Sequence, residues 1–170
     1  MRSVSPTFTR RLLDSAAIDA ADAQVLVDTA RALKRGAGAE TPRLRGKNIA
    51  LLCAHVEGDD VRRFDAAASA LGARVSHINA TPAWLRDDPP MGAPTARLLE
   101  NLYDAVDCEE LPAGFAQRLQ AQLGVPVFDG LARDTHAVFG LLPRVALRGA
   151  APDEDDRRAL LQALLVRSLS

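Results

Sequence analysis

Apolar positions along this chain recur with two alternating periods. Over residues 19–35, Val25, Leu26, Ala30 and Leu33 fall at helical spacing, with Asp19 and Asp22 at the start and Gly36 as a stop, which predicts a helix with one apolar face. A connector bearing proline and glycine follows over residues 38–45. Residues 47–53 are then a short apolar run from Lys47 to Cys53, the pattern of a strand buried on both faces. The alternation repeats: a helix over 59–71 closed by Gly72, a strand over 74–78, and a long loop over 81–94 with four prolines. Next come a helix over 95–103, a strand over 105–108, a helix over 112–123 with Phe115, Leu119 and Leu123 on one face, and a strand over 125–128. Strands alternating with helices of this length predict right-handed βαβ units on a parallel sheet.

Two segments remain. Residues 135–147 are mixed and read as a short helix interrupted by Pro143. Residues 152–168 read as an amphipathic helix: Pro152 opens it, Asp153, Glu154, Asp155 and Asp156 complement its amino-terminal dipole, and Leu160, Leu161, Leu164, Leu165 and Leu169 form a stripe,. A stripe this wide usually covers core, so packing on its own domain is favoured over gripping a partner. The expected fold class is α/β: a three-layer sandwich with a four-stranded parallel sheet flanked by helices, plus a C-terminal amphipathic helix. It is expected to be a single domain over 1–170, with its core in 12–142.

Composition narrows the function. At 170 residues the chain suits one well-cored domain,. A net charge of −1 offers no electrostatic case for nucleic acid or an anionic membrane,, and no apolar run approaches the roughly 20 residues of a membrane span. Residues 1–11 lack the apolar stretch of a secretory signal. The two cysteines, Cys53 and Cys108, are expected to be reduced, in the cytoplasm. With His55 and His136 they could gather at one rim, yet their spacing matches no zinc pattern. No metal or cofactor is expected. Trp84, in the proline-rich loop, is either an exposed contact or a loop anchor.

In such a sheet, ligands sit beyond the carboxyl ends of the strands. That edge carries residues 53–60, 79–94, 108–111 and 129–139. The chemistry-bearing residues there are Glu57, Gly58, Asp59, Asp60, Glu109 and His136, the expected ligand cleft. An acidic cluster of Glu57, Asp59, Asp60 and Glu109 could hold a cation, an amine or a guanidinium. The plainer reading has Asp59 and Asp60 capping their helix and complementing its dipole, with the others solvated. His136 is a candidate relict acid or ligand, or a satisfied structural histidine.

Several stretches together resemble one family. Leu44, Arg45, Gly46, Lys47, Asn48, Ile49, Ala50, Leu51 and Leu52 are similar to the first-strand signature of aspartate and ornithine carbamoyltransferases. Phe64 to Ala68 and Leu71 to Val75 resemble the helix and strand that follow. Asn101 to Val106 resemble the third unit, Gly124 to Leu131 the fourth, and His136 stands where the family's His-Pro-Thr-Gln motif begins. The resemblance, over about residues 12–142, is to the carbamoyl-phosphate-binding half. The acceptor-binding second domain is expected to be absent.

The departures fall on chemistry. The family's Ser-Thr-Arg-Thr-Arg phosphate loop is replaced by Glu57, Gly58, Asp59, Asp60 and Val61, with Arg62 and Arg63 a position or more downstream. The third-strand arginine aligns with Glu109. His-Pro-Thr-Gln has become His136, Ala137, Val138 and Phe139, and the neighbour-subunit loop corresponds to residues 87–94 without its Ser and Lys. A carboxylate about 4 Å from a phosphate charge costs roughly 4 kcal/mol at an effective dielectric near 20. Losing an arginine costs a comparable amount. Two such reversals exceed the roughly 5–8 kcal/mol holding a micromolar or weaker ligand.

The expectation is therefore a carbamoyltransferase-domain homologue that is catalytically inactive and acts as a binding or oligomerisation module, a trimer by family resemblance, or with a partner protein. The alternative is a subunit of an active transferase that needs a separate acceptor-binding chain, in arginine/citrulline or pyrimidine metabolism. A small-molecule sensor using the acidic cleft is a third reading.

Overall fold

The computed structural model describes residues 18–36, 43–147 and 150–169. The expectations for residues 1–17 and for the connector over 38–42 lie outside these. The elements are α1 (Ala20–Lys34), β1 (Asn48–Cys53), α2 (Asp59–Ala70), β2 (Arg74–Asn79), α3 (Pro82–Arg86), α4 (Ala93–Leu102), β3 (Ala105–Glu109), α5 (Phe115–Gln122), β4 (Val127–Phe128), a 3-10 turn (Ala137–Leu141), α6 (Leu142–Val145) and α7 (Glu154–Leu169).

The four strands form one parallel sheet in the order β2-β1-β3-β4. β1 is bonded on both sides, with Leu52 opposite Ile78 on one neighbour and opposite Cys108 on the other. Its apolar run is what a doubly covered strand requires: Ile49 to Cys53 are fully buried,. Alternation divides the sheet into two cores. Ile49, Leu51 and Cys53 face α1, α2 and α7 through Leu26, Phe64 and Leu164. Ala50 and Leu52 face α4 and α5 through Leu99, Phe115 and Leu119. This is the α/β layering that the sequence pattern predicts, with helices on both faces of four parallel strands.

Where the structure departs from expectation, proline and glycine explain why. Residues 81–94 are not simply a loop. Thr81 accepts a hydrogen bond from the Trp84 N–H at 3.3 Å and opens α3 with Pro82 in its first turn, and Pro94 opens α4 in the same way,. Trp84 packs half-buried against the second core, so it anchors this segment. Pro143 lies in the first turn of α6 and starts that helix instead of interrupting it. α5 begins only at Phe115, because Gly114 takes a left-handed φ of 80°,. β4 is two residues long; Pro126 has no N–H for a ladder, though its carbonyl accepts from Val106 at 2.9 Å,.

α7 is more deeply placed than a single stripe implies. Ala159, Leu160, Leu161, Ala163, Leu164, Leu165 and Val166 are all buried, as are Asp156 and Ser168, so the helix is a core element packed on its own sheet. Its start is a reciprocal cap. Asp153 Oδ1 accepts from the Asp156 N–H at 2.8 Å while Asp156 Oδ2 accepts from the Asp153 N–H at 3.1 Å,. Asp156 also pairs with Lys34 in the last turn of α1. Lys34 and the backbone donors hold the Asp156 carboxyl below its ordinary range despite burial.

Replacing Leu164 with Ala should cost about 2–5 kcal/mol of unfolding free energy, read from a urea titration. Asp156→Ala, which breaks both the cap and the Lys34 pair, should cost about 1–2 kcal/mol at pH 7. Because the folded pKa of Asp156 is depressed, its contribution is present above the unfolded value of 3.8 and disappears as pH falls through the lower folded value,. The wild type and this variant should therefore converge in stability in strong acid.

Candidate functional site

The order of strands places a cleft. From β1 the chain moves outward to β2, then returns to add β3 on the other side of β1, so the connections leave the carboxyl ends of β1 and β3 in opposite directions. The crevice between them is where ligands bind in open parallel sheets. Residues 54–60 and 110–114 border it.

On the β1 side, Gly58 is the N-cap of α2 and no side chain caps this helix. Asp59 and Asp60 stand one and two positions further in: they lie in the first turn, where they complement the helix dipole as the plainer sequence reading has it, but they do not cap it,. They hold the nearby arginines instead. Arg62 pairs with Asp59 and donates to the Glu57 carbonyl. Arg63 donates to Asp60 at 2.8 Å, the Ala132 carbonyl at 2.9 Å and Glu154 at 3.0 Å, with Asp134 at 3.3 Å. Both guanidinium groups are thus engaged by acids and carbonyls of the chain. Glu57 and Asp59 are exposed at the rim, and Asp60 is half-buried.

Glu110 closes the other side. Its φ of 57° lies in the left-handed region, a conformation that costs a non-glycine residue of order 1 kcal/mol or more and clusters at functional sites. The turn brings its carboxylate against Gly58, so close that a Cβ at that glycine would collide with it. A carboxylate of the chain therefore lies over the amino end of α2.

Beneath this rim lie two buried acids. Asp107 and Glu109 alternate with Val106 and Cys108 along β3, so both point into the core shared with α2,. Both are fully buried. Asp107 Oδ1 accepts from the Gly130 and Leu131 N–H groups at 3.2 and 3.3 Å, and Glu109 Oε1 accepts from Ala132 at 2.8 Å. Burial pushes both carboxyls up, Asp107 to about 6 and Glu109, which also feels Asp107, to about 10,. Glu109 is consequently neutral at pH 7. Its place is below the surface of the cleft, and it exerts no charge repulsion there; what its substitution removes is an arginine's attraction.

His136 is the N-cap of the 3-10 turn. It is 7 % exposed and its Nδ1 accepts from the Val138 N–H at 3.2 Å, which leaves the proton of the neutral ring on Nε2. Burial lowers its pKa to about 4, so it is a neutral imidazole at physiological pH. Cys53 and Cys108 are buried thiols whose pKa burial raises. They face opposite sides of the sheet, and His55 is exposed. Among the described residues, no group of three or more His, Cys, Asp or Glu is arranged to hold a metal ion.

Three residues here were not singled out from sequence. Asp107 had a detectable signal: two acids spaced by two in a strand that must be buried. Arg133 places its guanidinium 3.8 Å from Asp129 and over Gly130, and Glu110 owes its role to a backbone angle. Neither leaves a sequence trace.

The chain is similar to ornithine carbamoyltransferases. It is 37 % identical to the enzyme of Actinobacillus pleuropneumoniae over 113 residues, which are 65 % of this chain and 34 % of that protein. It is 35 % identical to the catabolic ornithine carbamoyltransferase of Burkholderia mallei over 141 residues, 82 % of this chain and 42 % of that one. The chain thus spans between a third and a half of the length of these curated relatives. No family model matches it. Among solved structures, ornithine carbamoyltransferase of Pyrococcus furiosus superposes with a TM-score of 0.53 at 25 % identity, over 65 % of this chain and 36 % of that one. Aspartate transcarbamoylase of Trypanosoma cruzi, in complex with phosphate, gives 0.60 at 19 % identity, over 78 % of this chain and 43 % of that one, a likeness of fold. By sequence and by fold, the homologues of this chain are ornithine/aspartate carbamoyltransferases, and it corresponds to part of such an enzyme.

Proposed function

We propose that this chain is a carbamoyltransferase-type domain that does not use carbamoyl phosphate and acts by association, with copies of itself or with another protein. The observation that carries the reading is the occupancy of the α2 amino end by the chain's own charges. Arg62 and Arg63 are drawn into pairs with Asp59, Asp60, Asp134 and Glu154, and the Glu110 carboxylate lies against Gly58. A phosphate approaching that helix end would meet an anion at contact distance, costing roughly 4 kcal/mol at 4 Å and an effective dielectric near 20. The arginines that would offset this are engaged elsewhere. The neutral Glu109 weakens the charge-reversal case at β3, and Glu110 restores it one residue further along.

His136 adds to this reading. A buried imidazole held neutral to about pH 4, with its Nδ1 used as a helix cap, is poorly suited to donate a proton at neutral pH. No helix among the described residues is long and apolar enough to cross a membrane. Isothermal calorimetry of the purified chain with carbamoyl phosphate should show no binding in the micromolar range. Incubation with carbamoyl phosphate and ornithine or aspartate should yield neither citrulline nor carbamoyl-aspartate. Light scattering should report a mass above the 18.2 kDa of one chain. Micromolar binding or product formation would overturn the inactivity, and a strictly monomeric mass the self-association.

A further inference from the structure

Asp107 and Glu109 stand side by side on one face of β3 without a base between them. One oxygen of each is satisfied by the peptide N–H groups of Gly130, Leu131 and Ala132. The other oxygens, Asp107 Oδ2 and Glu109 Oε2, are buried and have no N–H or O–H donor among the described residues. The two side chains stand two residues apart on the same buried face of β3, so each carboxyl is the other's neighbour,. Two ionised carboxylates side by side in the core, with no ion pair to either among the described residues, would repel strongly and leave acceptors unmet.

The surroundings offer no other remedy. From β1, Cys53 is the register partner of Glu109. From α2, Asp60 adds a like charge nearby, while Arg63 turns to Asp60, Glu154 and the Ala132 carbonyl. In the loop after β4, Arg133 lies 3.8 Å from Asp129 with its buried Nη2 left without a hydrogen-bond partner among the described residues, and it forms no ion pair with Asp107 or Glu109. Cys108 on β3 points to the opposite core. No salt bridge among the described residues reaches either acid.

We propose that Asp107 and Glu109 share a single proton, and that this O–H···O contact is a pH-dependent latch holding the loop of residues 130–136, with His136 at its end, onto the carboxyl end of β3. With the proton in place, each carboxyl is satisfied and the three loop N–H groups are pinned. Without it, two negative charges lie in contact inside the core, and release of the loop to admit water is the way to relieve them. The same loop supplies the carbonyl that Arg63 binds, so its release would also loosen the wall of the cleft.

The titration has a definite sign. The pair takes up its protons at about 6 and about 10, so between those values the folded chain holds one proton that the unfolded chain does not. A raised carboxyl pKa contributes stability that is complete below the unfolded value and lost as pH rises through the folded one. His136, lowered to about 4, works in the opposite direction only below its unfolded value of 6.5. Unfolded thiols ionise only near pH 8.5 and above. The window from pH 6.5 to 8 therefore isolates the pair.

In that window, denaturant titrations should show the folding equilibrium constant of the wild type falling about tenfold per pH unit, the effect of one bound proton. Glu109→Gln supplies a permanent N–H to Asp107 while keeping an oxygen for Ala132, so its folding constant should be nearly level over the same range. Protection of the Gly130, Leu131 and Ala132 amides, corrected for intrinsic exchange, should fall with pH in the wild type and stay constant in the variant. Parallel pH profiles for the two proteins would sink the latch. If the variant does not fold, infrared spectroscopy of the wild type at pH 8 decides: the C=O stretch of a protonated carboxylic acid is expected, and its absence means no proton is shared.

Discussion

The structure depends on burying β1 completely. Its five residues from Ile49 to Cys53 have no exposed surface, and each backbone group must find its partner in the strands on either side. That double pairing forces β2 and β3 onto opposite edges of one strand. Both faces must then be covered, which calls α1, α2 and α7 to one side and α4 and α5 to the other. The crevice at the carboxyl ends follows from the same constraint, because the two connections diverge there.

What this crevice offers is governed by where acids sit relative to water. Glu57, Asp59 and Glu110 remain exposed and set the electrostatics of the rim. Asp107 and Glu109, a few residues away, are fully buried, and desolvation raises both carboxyls, Glu109 far enough to keep its proton at pH 7,. Five acids that look alike in composition thus divide into two kinds. The outer ones and the ion pairs of Arg62 and Arg63 place the chain's own charges around the amino end of α2. The inner ones belong to the architecture, tying the loop after β4 to β3 through three peptide N–H groups.

The same loop connects this edge to the last helix. Arg63 and Asp134 both reach toward the start of α7, through Glu154 and Arg157, and Arg157 lies 4.7 Å from the ring centre of Phe139. α7 is therefore coupled at its amino end to the cleft and along its length to the first core. A helix so embedded is not available to a partner along its leucines.

The alternation of apolar runs with helical spacing, with Gly36 and Gly72 as stops, sufficed to predict the sheet and its helices, because backbone pairing and burial act on local pattern. The motif order from Leu44 to His136 carried the family resemblance. The last helix starts at Glu154, capped by Asp153, and not at Pro152. Asp19 marked the start of α1 through its own local chemistry, whereas Pro82 and Pro94, read as part of a loop, open helices. The charge state of Glu109 and the positions of Arg62, Arg63 and Glu110 were decided only by the tertiary structure. Desolvation depends on what covers a side chain, and ion pairing on which acid lies within reach across the fold. Spacing along the chain carries neither.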